Sequence, residues 1–390
     1  MLPNSSWPFY EPKIISKVSD CLKSGKVNYH TGIYGKKFES MFSQKFGLKY
    51  SLSLTNGTVA LDIAIRVLNL KTNQSIITTP KSYFSSSSQI IRNNIQLKYC
   101  DISLFSQNLD PNSFLKTINK GTKAVIFVHL GGNPNGIVEV AEICKKKKIV
   151  LIEDCSQAHG AKINNKFVGT FGDISIWSFC NDKIISTGGE GGMISTNNKF
   201  YFQKIWAERD TGKDYNKYYK KYKKNGYKYL HDHIGTNARM TEIQAIIGIE
   251  HLKKLNNFIK KRNQNASVIL NEIKKFKDCF FFYESKQKNY INSFYRLNLI
   301  IKKNKYKKLS SRDKILDELF LNNCFCQVGG CSELYLEKPI KEKIGKKNYE
   351  NSRISAENTI SFIVDNSILK KDMIKYSKII NMVLSKHLLI

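Results

Sequence analysis

Between about residue 50 and residue 200, short apolar runs alternate with longer amphipathic runs. The segment TVALDIAIRVLNL (58–70) places its apolar residues on one helical stripe, and VEVAEICKKKKI (138–149) is also helix-like. Short runs that predict strands are SLSLTNG (51–57), SIITTP (75–80), AVIFVHL (124–130), IVLIEDC (149–155), SIWSFC (175–180) and GGMISTN (191–197). This β-α-β alternation predicts an α/β fold with a mostly parallel sheet and helices on both of its faces.

The pattern changes beyond residue 240. The segment 240–263 predicts one long helix, and shorter strands and helices follow after about residue 265. We therefore expect a large domain over 1–260, with an N-terminal arm, and a smaller α+β domain over 261–390. The Lys/Tyr-rich segment 213–233 has no clean period, and it predicts either a solvated loop or a lid over an anionic aromatic ligand.

Composition narrows the class of protein. Of the 390 residues, 41% are apolar and 12% are aromatic, which is enough for a sizeable core. No uncharged apolar run reaches the length of about 18 residues that a membrane helix needs, and no signal peptide is recognisable. We therefore expect a cytoplasmic protein without a membrane partner. The nine cysteines contain no CxxC pair, so free thiols and no metal site are expected.

The net charge of +31 raises the question of nucleic-acid binding. Only eight of the 63 basic residues are arginine, the residue that binds phosphates and bases bidentately. The lysines are spread along the whole chain and create an electropositive surface for anionic substrates. We therefore expect no nucleic-acid partner. A DNA-binding regulator that has lost its chemistry is the alternative that the charge supports.

One lysine stands between a serine and a glycine cluster in SFCNDKIISTGGEGGM (178–193). A nucleotide-phosphate loop would need the pattern GxxxxGK followed by Ser or Thr. Here the glycines follow Lys183, and the four Gly-Lys pairs of the chain lack the upstream glycine and the downstream hydroxyl. The segment therefore argues against an NTPase. It favours a lysine that reacts with a carbonyl, as in enzymes that use pyridoxal phosphate (PLP).

PLP binding requires three further features of a protein, and this chain has candidate residues for each of them. Its phosphate binds at helix N-termini, and the NGT turn 56–58 joins a predicted strand to a predicted helix. Its ring nitrogen needs a carboxylate, and Asp154 ends a buried apolar run. Its flat ring needs an aromatic side chain on one face, for which Phe84 and Tyr83 are the candidates.

In their order and spacing, these segments resemble the DegT/StrS-type nucleotide-sugar aminotransferases, a PLP-dependent family of the aspartate-aminotransferase superfamily (fold type I). The resemblance covers nearly the whole chain. The segments that carry it are GKVNYHTGIYGKKFESMFSQKFG, LTNGTVALDIAIRVL, TTPKSYFSSSSQII, LIEDCSQAHGAK, SFCNDKIISTGGEGGM and GTNARMTEIQAIIGIEHL. The resemblance implies a large domain with a seven-stranded, mostly parallel sheet, and a smaller C-terminal α+β domain.

The resemblance also implies a role for each site residue. Lys183 would bind PLP covalently and act as the catalytic amine, and Asp154 would pair with the ring nitrogen. The other cofactor-binding residues would be Gly57, Thr58 and Ser178 at the phosphate, Gln157 at the ring hydroxyl, Phe84 on the ring face and Asn237 at the phosphate. Asn237 would reach in from a neighbouring subunit, which implies a homodimer with a shared active site. His159 is expected to support packing.

The activity that the resemblance implies is transfer of an amino group from L-glutamate to a nucleotide-linked keto-sugar, with PLP alternating with pyridoxamine phosphate (PMP). The sugar would be a 4-keto-6-deoxyhexose or a 3-keto sugar, used for surface polysaccharides such as O-antigen or capsule. A related branch of the family is a dehydratase with histidine in place of the lysine, so Lys183 favours transamination. The segment CFCQVGGCSELYLEKPI lacks the substrate-facing histidine of many members, which leaves the sugar contacts unassigned.

Overall fold

The computed structural model describes residues 2–225, 228–282, 289–345 and 347–390. The strands are β1 (Tyr50–Leu54), β2 (Ser75–Thr78), β3 (Gln96–Tyr99), β4 (Thr122–Val128), β5 (Val150–Asp154), β6 (Lys162–Ile163), β7 (Lys166–Phe167), β8 (Ile174–Ser178), β9 (Gly192–Thr196), β10 (Phe280–Phe281), β11 (Leu297–Ile301), β12 (Cys326–Gln327) and β13 (Thr359–Phe362). The α-helices are α1 (Pro12–Lys23), α2 (Tyr34–Phe46), α3 (Gly57–Arg66), α4 (Ser85–Arg92), α5 (Pro111–Thr117), α6 (Ile137–Lys147), α7 (Lys199–Arg209), α8 (Tyr215–Asn225), α9 (Glu242–Glu272), α10 (Arg312–Leu321), α11 (Lys338–Ile344), α12 (Glu350–Asn358) and α13 (Lys370–His387).

The central sheet has seven strands in the order β1-β9-β8-β5-β4-β2-β3. Strand β9 runs antiparallel to β1 and β8, and the other neighbouring pairs are parallel. This confirms the predicted α/β fold with a seven-stranded, mostly parallel sheet. Every apolar run that predicted a strand contains one. The edge strand β3 (QLKY) was not predicted, because polar and apolar residues alternate along it and form no apolar run.

Helices cover both faces of this sheet, as strands that are apolar on both sides require. On one face, Ala60, Ile63 and Ala64 of α3 pack into the core, which confirms the predicted helical stripe. On the other face, α5 and α6 enclose the side chain of Phe127. A further cluster, around Trp177, is formed with α2 and the first half of α9.

A second sheet follows α9. It has four antiparallel strands in the order β10-β11-β13-β12. Together with α10, α13 and the end of α9, this sheet encloses its own apolar core, to which Ala266, Ile315, Ile360 and Ile380 belong. The segment after α9 therefore has its own hydrophobic centre.

The 31-residue helix α9 contributes to both cores. Leu255 packs in the cluster around Trp177, and Ala266 and Ile269 pack in the C-terminal core. The predicted boundary between residues 260 and 261 falls inside this helix, and the division into 1–260 and 261–390 stays a prediction. Within the described residues, no helix combines the length and the apolar character that a membrane crossing requires.

The Lys/Tyr-rich segment contains helix α8, in which the tyrosines at 215, 218, 219 and 222 recur at helical spacing, a period that the sequence prediction missed. The rings of Tyr215 and Tyr218 pack on the indole of Trp206, with centroids 5.2 and 5.3 Å away. The interpretation as a solvated loop is therefore wrong for the helical part, which Tyr215 and Tyr218 anchor on α7, whereas residues 228–233 form turns and are mostly exposed. Residues 226–227 lie outside the described residues. The alternative interpretation, a lid over a ligand, stays a prediction.

Lys81 joins the two sheets through hydrogen bonds to neutral side chains. It follows β2, it is fully buried, and its ammonium group donates to Gln107 Oε1 at 2.7 Å, Ser355 Oγ at 2.5 Å and Thr359 Oγ1 at 3.1 Å. Ser355 lies on α12 and Thr359 begins β13. Burial, together with the nearby charge of Arg312, lowers the pKa of Lys81 to about 7.

We expect Lys81 to make the free energy of unfolding depend on pH. Its pKa in the folded protein lies below its ordinary value of 10.5, so between about pH 7 and about pH 10 the unfolded chain binds a proton that the folded chain does not. In that window the stability of the wild type should rise with pH, relative to Lys81→Met, by up to about 1.4 kcal/mol per pH unit. Urea unfolding at several pH values measures the difference. The exposed Lys260 serves as the control in Lys260→Met, and parallel curves for wild type and Lys81→Met would contradict the prediction.

Candidate active site

The carboxyl ends of β1, β5 and β8 meet the N-terminus of α3 at one edge of the central sheet, where open α/β sheets bind ligands. These elements surround a cavity of about 820 Å³. The predicted site residues that line it are Gly57, Thr58, Phe84, Asp154, Gln157, Ser178 and Lys183. Asn237 does not line it, because it is exposed on a segment that pairs with Asp210. Its expected contribution from a partner subunit stays a prediction.

One end of the cavity is formed by the first turn of α3. Asn56 caps this helix, and its side chain accepts a hydrogen bond from the backbone N–H of Val59 at 2.8 Å. Gly57 is buried against the end of β8, where an added Cβ would lie 2.8 Å from the Cβ of Ser178. The absence of a side chain on Gly57 therefore brings the helix N-terminus beside the hydroxyls of Thr58 and Ser178. This arrangement suits a phosphate group.

Asp154 ends β5, and its buried carboxylate forms part of the cavity wall. One carboxylate oxygen accepts a hydrogen bond from the backbone N–H of Ser156 at 3.0 Å. Burial raises the pKa of Asp154, and the Ser156 bond and the charges of Lys183 and His129 offset this only in part. A ligand that brings a positively charged N–H to this carboxylate would therefore be stabilised.

Gln157 lies on the same wall as Asp154. Its Oε1 accepts a hydrogen bond from the backbone N–H of Gly131 at 2.8 Å. Gly131 has a φ of 64°, a left-handed conformation that glycine adopts without strain. Since the side-chain oxygen of Gln157 is engaged, its amide nitrogen is the group that can donate to a ligand.

Lys183 lies in the cavity between two polar neighbours. Its amine donates to the hydroxyl of Tyr295 at 3.4 Å and lies 3.6 Å from the carboxylate of Asp182, which also accepts a hydrogen bond from Tyr295. Burial alone would lower the pKa of Lys183, but Tyr295 and Asp182 outweigh it, so the pKa lies above its ordinary value. The indole of Trp7 donates to the carbonyl of Lys183 at 2.8 Å, which ties the N-terminal arm to this segment.

Two aromatic residues reach the cavity at the start of α4. Tyr83 is 70% exposed and Phe84 is 37% exposed, and both line the cavity. Each can offer a ring face to a flat ligand. The expectation that Phe84 is the stacking residue stays a prediction.

His159 is fully buried next to this site. Its ring packs against Trp177 and Phe179, with centroids 5.4 and 5.6 Å away. Burial, with the nearby charges of Lys183 and Arg262, lowers the pKa of His159 to about 3, so the ring is neutral near pH 7. These contacts agree with the packing role expected for it.

The opposite wall of the cavity is formed by the C-terminal sheet and the residues just before it. None of these residues was predicted as a site residue from the sequence. They are Tyr295, Arg296, Asn298, Gln327 and Ser361. Asn298 on β11 and Gln327 on β12 both pair with Ser361 on β13, so the three form a row across the sheet. The available signal was the alternation in RLNLI, which sets Leu297 and Leu299 in the core and the polar residues on the other face.

The residues that the structure brings together fit PLP. The first turn of α3 with two hydroxyls suits its phosphate, and the buried carboxylate of Asp154 suits a protonated ring nitrogen. The free amide nitrogen of Gln157 suits the ring hydroxyl, and the amine of Lys183 suits the carbonyl. These four groups surround one cavity, as a single cofactor requires.

Known proteins resemble this chain in sequence and in structure. The model of the DegT/DnrJ/EryC1/StrS aminotransferase family matches residues 9–375. GDP-perosamine synthase from Escherichia coli O157:H7 is 32% identical over 265 residues, which are 67% of this chain and 70% of that protein. GDP-4-keto-6-deoxy-D-mannose 3-dehydratase from Escherichia coli O55:H7 is 32% identical over 317 residues, 77% of this chain and 79% of that protein. The X-ray structure of the aminotransferase from Psychrobacter cryohalolentis has a TM-score of 0.95 and 32% identity, covering 98% of this chain and 99% of that one.

The family match begins before α1 and ends within α13, so it includes the cavity and both sheets that enclose it. The expected cofactor is confirmed with the family, which is PLP-dependent. The chain therefore belongs to the DegT/DnrJ/EryC1/StrS aminotransferase family and is a PLP-dependent aminotransferase.

Proposed function

We propose that the protein transfers the amino group of L-glutamate to a nucleotide-linked keto-sugar. The observation that carries this proposal is the meeting of the amine of Lys183, the buried carboxylate of Asp154 and the start of α3 around one cavity. Two relatives carry the names of enzymes of GDP-linked sugars, which supports a nucleotide-linked sugar as the amino acceptor.

Bound PLP supplies an electron sink that lets the α-hydrogen of an amino acid leave as a proton. Lys183 would hold the cofactor and, when its amine is free, would take this proton from the α-carbon of the donor. Asp154 would keep a proton on the ring nitrogen, because its buried carboxylate is stabilised by a cationic partner.

The remaining cofactor-binding residues would fix the orientation of the ring. Gln157 would donate its amide N–H to the ring hydroxyl, and Phe84 would pack on the ring face. Thr58 and Ser178, with the first N–H groups of α3, would bind the phosphate. Asn237 would complete the phosphate site from the partner subunit, so we propose a homodimer as the active unit.

For the acceptor we propose a 4-keto-6-deoxyhexose, with a 3-keto sugar as the alternative. A cavity of about 820 Å³ is within the range that takes a ligand the size of a sugar and a cofactor. The net charge of +31 favours approach of a substrate that carries a diphosphate. The aminated sugar would serve the synthesis of surface polysaccharides such as O-antigen or capsule.

A sugar dehydratase is the second candidate, because a relative with 32% identity over 77% of this chain carries that name. Lys183 argues against it. By the resemblance described above, the dehydratase branch has histidine at this position, and histidine cannot bind the cofactor covalently in the way that a lysine amine does.

The purified holoenzyme, supplied with L-glutamate and a panel of nucleotide-linked keto-sugars, tests the proposal. Mass spectrometry should find 2-oxoglutarate and a sugar in which an amine has replaced the carbonyl oxygen. A product that has lost a hydroxyl without gaining nitrogen would favour the dehydratase. No amination of any sugar in the panel, with glutamate present, would contradict the proposal.

Lys183→Ala should abolish covalent attachment of the cofactor. Treatment of the wild type with borohydride should fix the cofactor on Lys183, and peptide mass spectrometry should locate the added mass in the segment 178–193. The variant should show no such label, and the exposed-lysine control Lys260→Ala should be labelled like the wild type. A label on another lysine of the wild type would remove Lys183 from its proposed role.

Asp154→Asn should keep PLP bound but lower kcat by roughly 10²- to 10³-fold, because an amide cannot hold the ring nitrogen as a cation. The bound cofactor is measured by its visible absorbance, and kcat by the release of 2-oxoglutarate. Asp317→Asn, at an exposed position on α10, is the matched control. Normal turnover in Asp154→Asn would contradict the pairing.

A further inference from the structure

Arg296 brings a second cation into the cavity. The charged residues that line the cavity are the acidic Asp154, Asp182, Glu190 and Glu337 and the basic Lys183 and Arg296. Since Lys183 would hold the cofactor, Arg296 is the cation that the described lining residues leave for a substrate. An anionic group of a substrate is repelled by the carboxylates and attracted at Arg296.

The guanidinium of Arg296 makes no hydrogen bond and no close ion pair with any described residue, although the side chain is partly buried. Its charge does reach the carboxyl of Asp182, whose pKa it helps to lower. It lies over the ring of Tyr295, 5.2 Å from the centroid. The carboxylate of Asp182 is already engaged with the hydroxyl of Tyr295 and with Lys183. The N–H donors of Arg296 are therefore available to a ligand.

The backbone on both sides of Arg296 is held in place. The fully buried Arg262 donates to the carbonyl of Phe294 at 3.2 Å and to that of Tyr295 at 3.3 Å. The next residue, Leu297, begins β11 and packs in the C-terminal core, which directs Arg296 to the opposite face. With the backbone fixed, only the side chain of Arg296 has to be ordered when it binds an anion.

We propose that Arg296 binds a carboxylate group of the amino donor; this inference rests on the proposed aminotransferase function. The amine of Lys183 and the guanidinium of Arg296 lie over the same Tyr295 ring, 4.6 and 5.2 Å from its centroid. The two cations are therefore neighbours in the cavity, and an amino acid whose carboxylate binds Arg296 can direct its α-carbon toward the amine that would take its proton. Arg296 is a substrate-binding residue in this proposal.

The diphosphate of the sugar nucleotide is the other anion that the active site must accept. In a sugar nucleotide, the sugar ring separates the reacting carbon from the diphosphate, whereas an amino acid has a carboxylate bonded directly to its α-carbon. Because Lys183 and Arg296 both contact the ring of Tyr295, an anion bonded next to the reacting carbon suits this pair better than one that lies a sugar ring away. The row of Asn298, Ser361 and Gln327 is uncharged and offers donors and acceptors for hydroxyl groups instead.

Binding of glutarate to the PLP-loaded protein tests the proposal. Glutarate has the two carboxylates of glutamate but no amine, so it cannot react. Isothermal titration calorimetry should show roughly 10- to 100-fold weaker binding to Arg296→Gln than to the wild type, as expected for the loss of charge-assisted hydrogen bonds. Arg296→Lys should lose less affinity. Arg353→Gln, which removes the same charge at an exposed position of α12, should bind like the wild type.

Inorganic pyrophosphate distinguishes the two anions, and its binding should be unchanged in Arg296→Gln. If this variant binds pyrophosphate more weakly but glutarate normally, the proposal is wrong and the residue belongs to the diphosphate site. Unchanged binding of both anions, or no binding of glutarate to the wild type, also overturns it. Retained cofactor absorbance shows that a variant is folded, and if Arg296→Gln loses it, Arg296→Lys must bind glutarate more weakly than the wild type.

The two proposals can fail separately. If the wild type aminates a sugar with glutamate and Arg296→Gln binds glutarate equally well, the function stands and the inference about Arg296 fails. If glutarate binding depends on Arg296 but glutamate aminates no sugar, the carboxylate site stands and the proposed function fails.

Discussion

The buried carboxylate of Glu153 holds together the strand ends that form the active site. It accepts hydrogen bonds from the backbone N–H groups of Gly169, Phe171 and Gly172 at 2.7, 2.7 and 2.6 Å, and from Nε2 of His129 at 3.0 Å. These donors lie on the loop before β8 and just after β4. Because neighbouring side chains of a strand point to opposite faces, Glu153 can bind this loop while Asp154 faces the cavity. Glu153 therefore reinforces the pairing of β5 with β8, which sets the positions of Asp154 and Ser178, and its removal would leave several interior donors unsatisfied.

The large sheet could be predicted because its signals are local. Strands that are buried on both faces must be apolar throughout, and helices that cover them must have one apolar side, so both patterns appear within a few residues of each other. These patterns are less clear in strand β3 and in helix α8, and both were missed. The first lies at the sheet edge, and the second is held by contacts of Tyr215 and Tyr218 with Trp206 on another helix. The tyrosines at 215, 218, 219 and 222 are spaced as on one side of a helix, but tyrosine is partly polar and this stripe was not recognised in the sequence.

The two walls of the active site also differed in how far they could be predicted from the sequence. Asp154 and Ser178 end apolar strands, and Lys183 follows shortly after one of them, so their places could be inferred from the sequence and from the family resemblance. Tyr295 lies 112 positions from Lys183 but forms a hydrogen bond with its amine. The alternation in β11 tells which residues share a face, but the packing of the second sheet on the first decides what that face meets. The sequence therefore allowed prediction of the cofactor-binding side of the cavity and not of the wall opposite to it.

The partners of the arginines in this lysine-rich chain help to separate a binding site from ordinary surface charge. Arginine differs from lysine in its planar set of donors, which matches a carboxylate or a pair of carbonyl groups. The arginines with an acidic or carbonyl partner are Arg66, Arg209, Arg239, Arg262, Arg312 and Arg353. Of the remaining two, Arg92 is exposed, whereas Arg296 is partly buried in the cavity beside the ring that contacts Lys183. A lysine at this position would supply the same charge without the paired donors. Arginine is scarce in this chain, which argues against nucleic-acid binding. Among the described residues Arg296 has neither a hydrogen bond nor a close ion pair, and a carboxylate of the substrate would be the partner that its paired donors match.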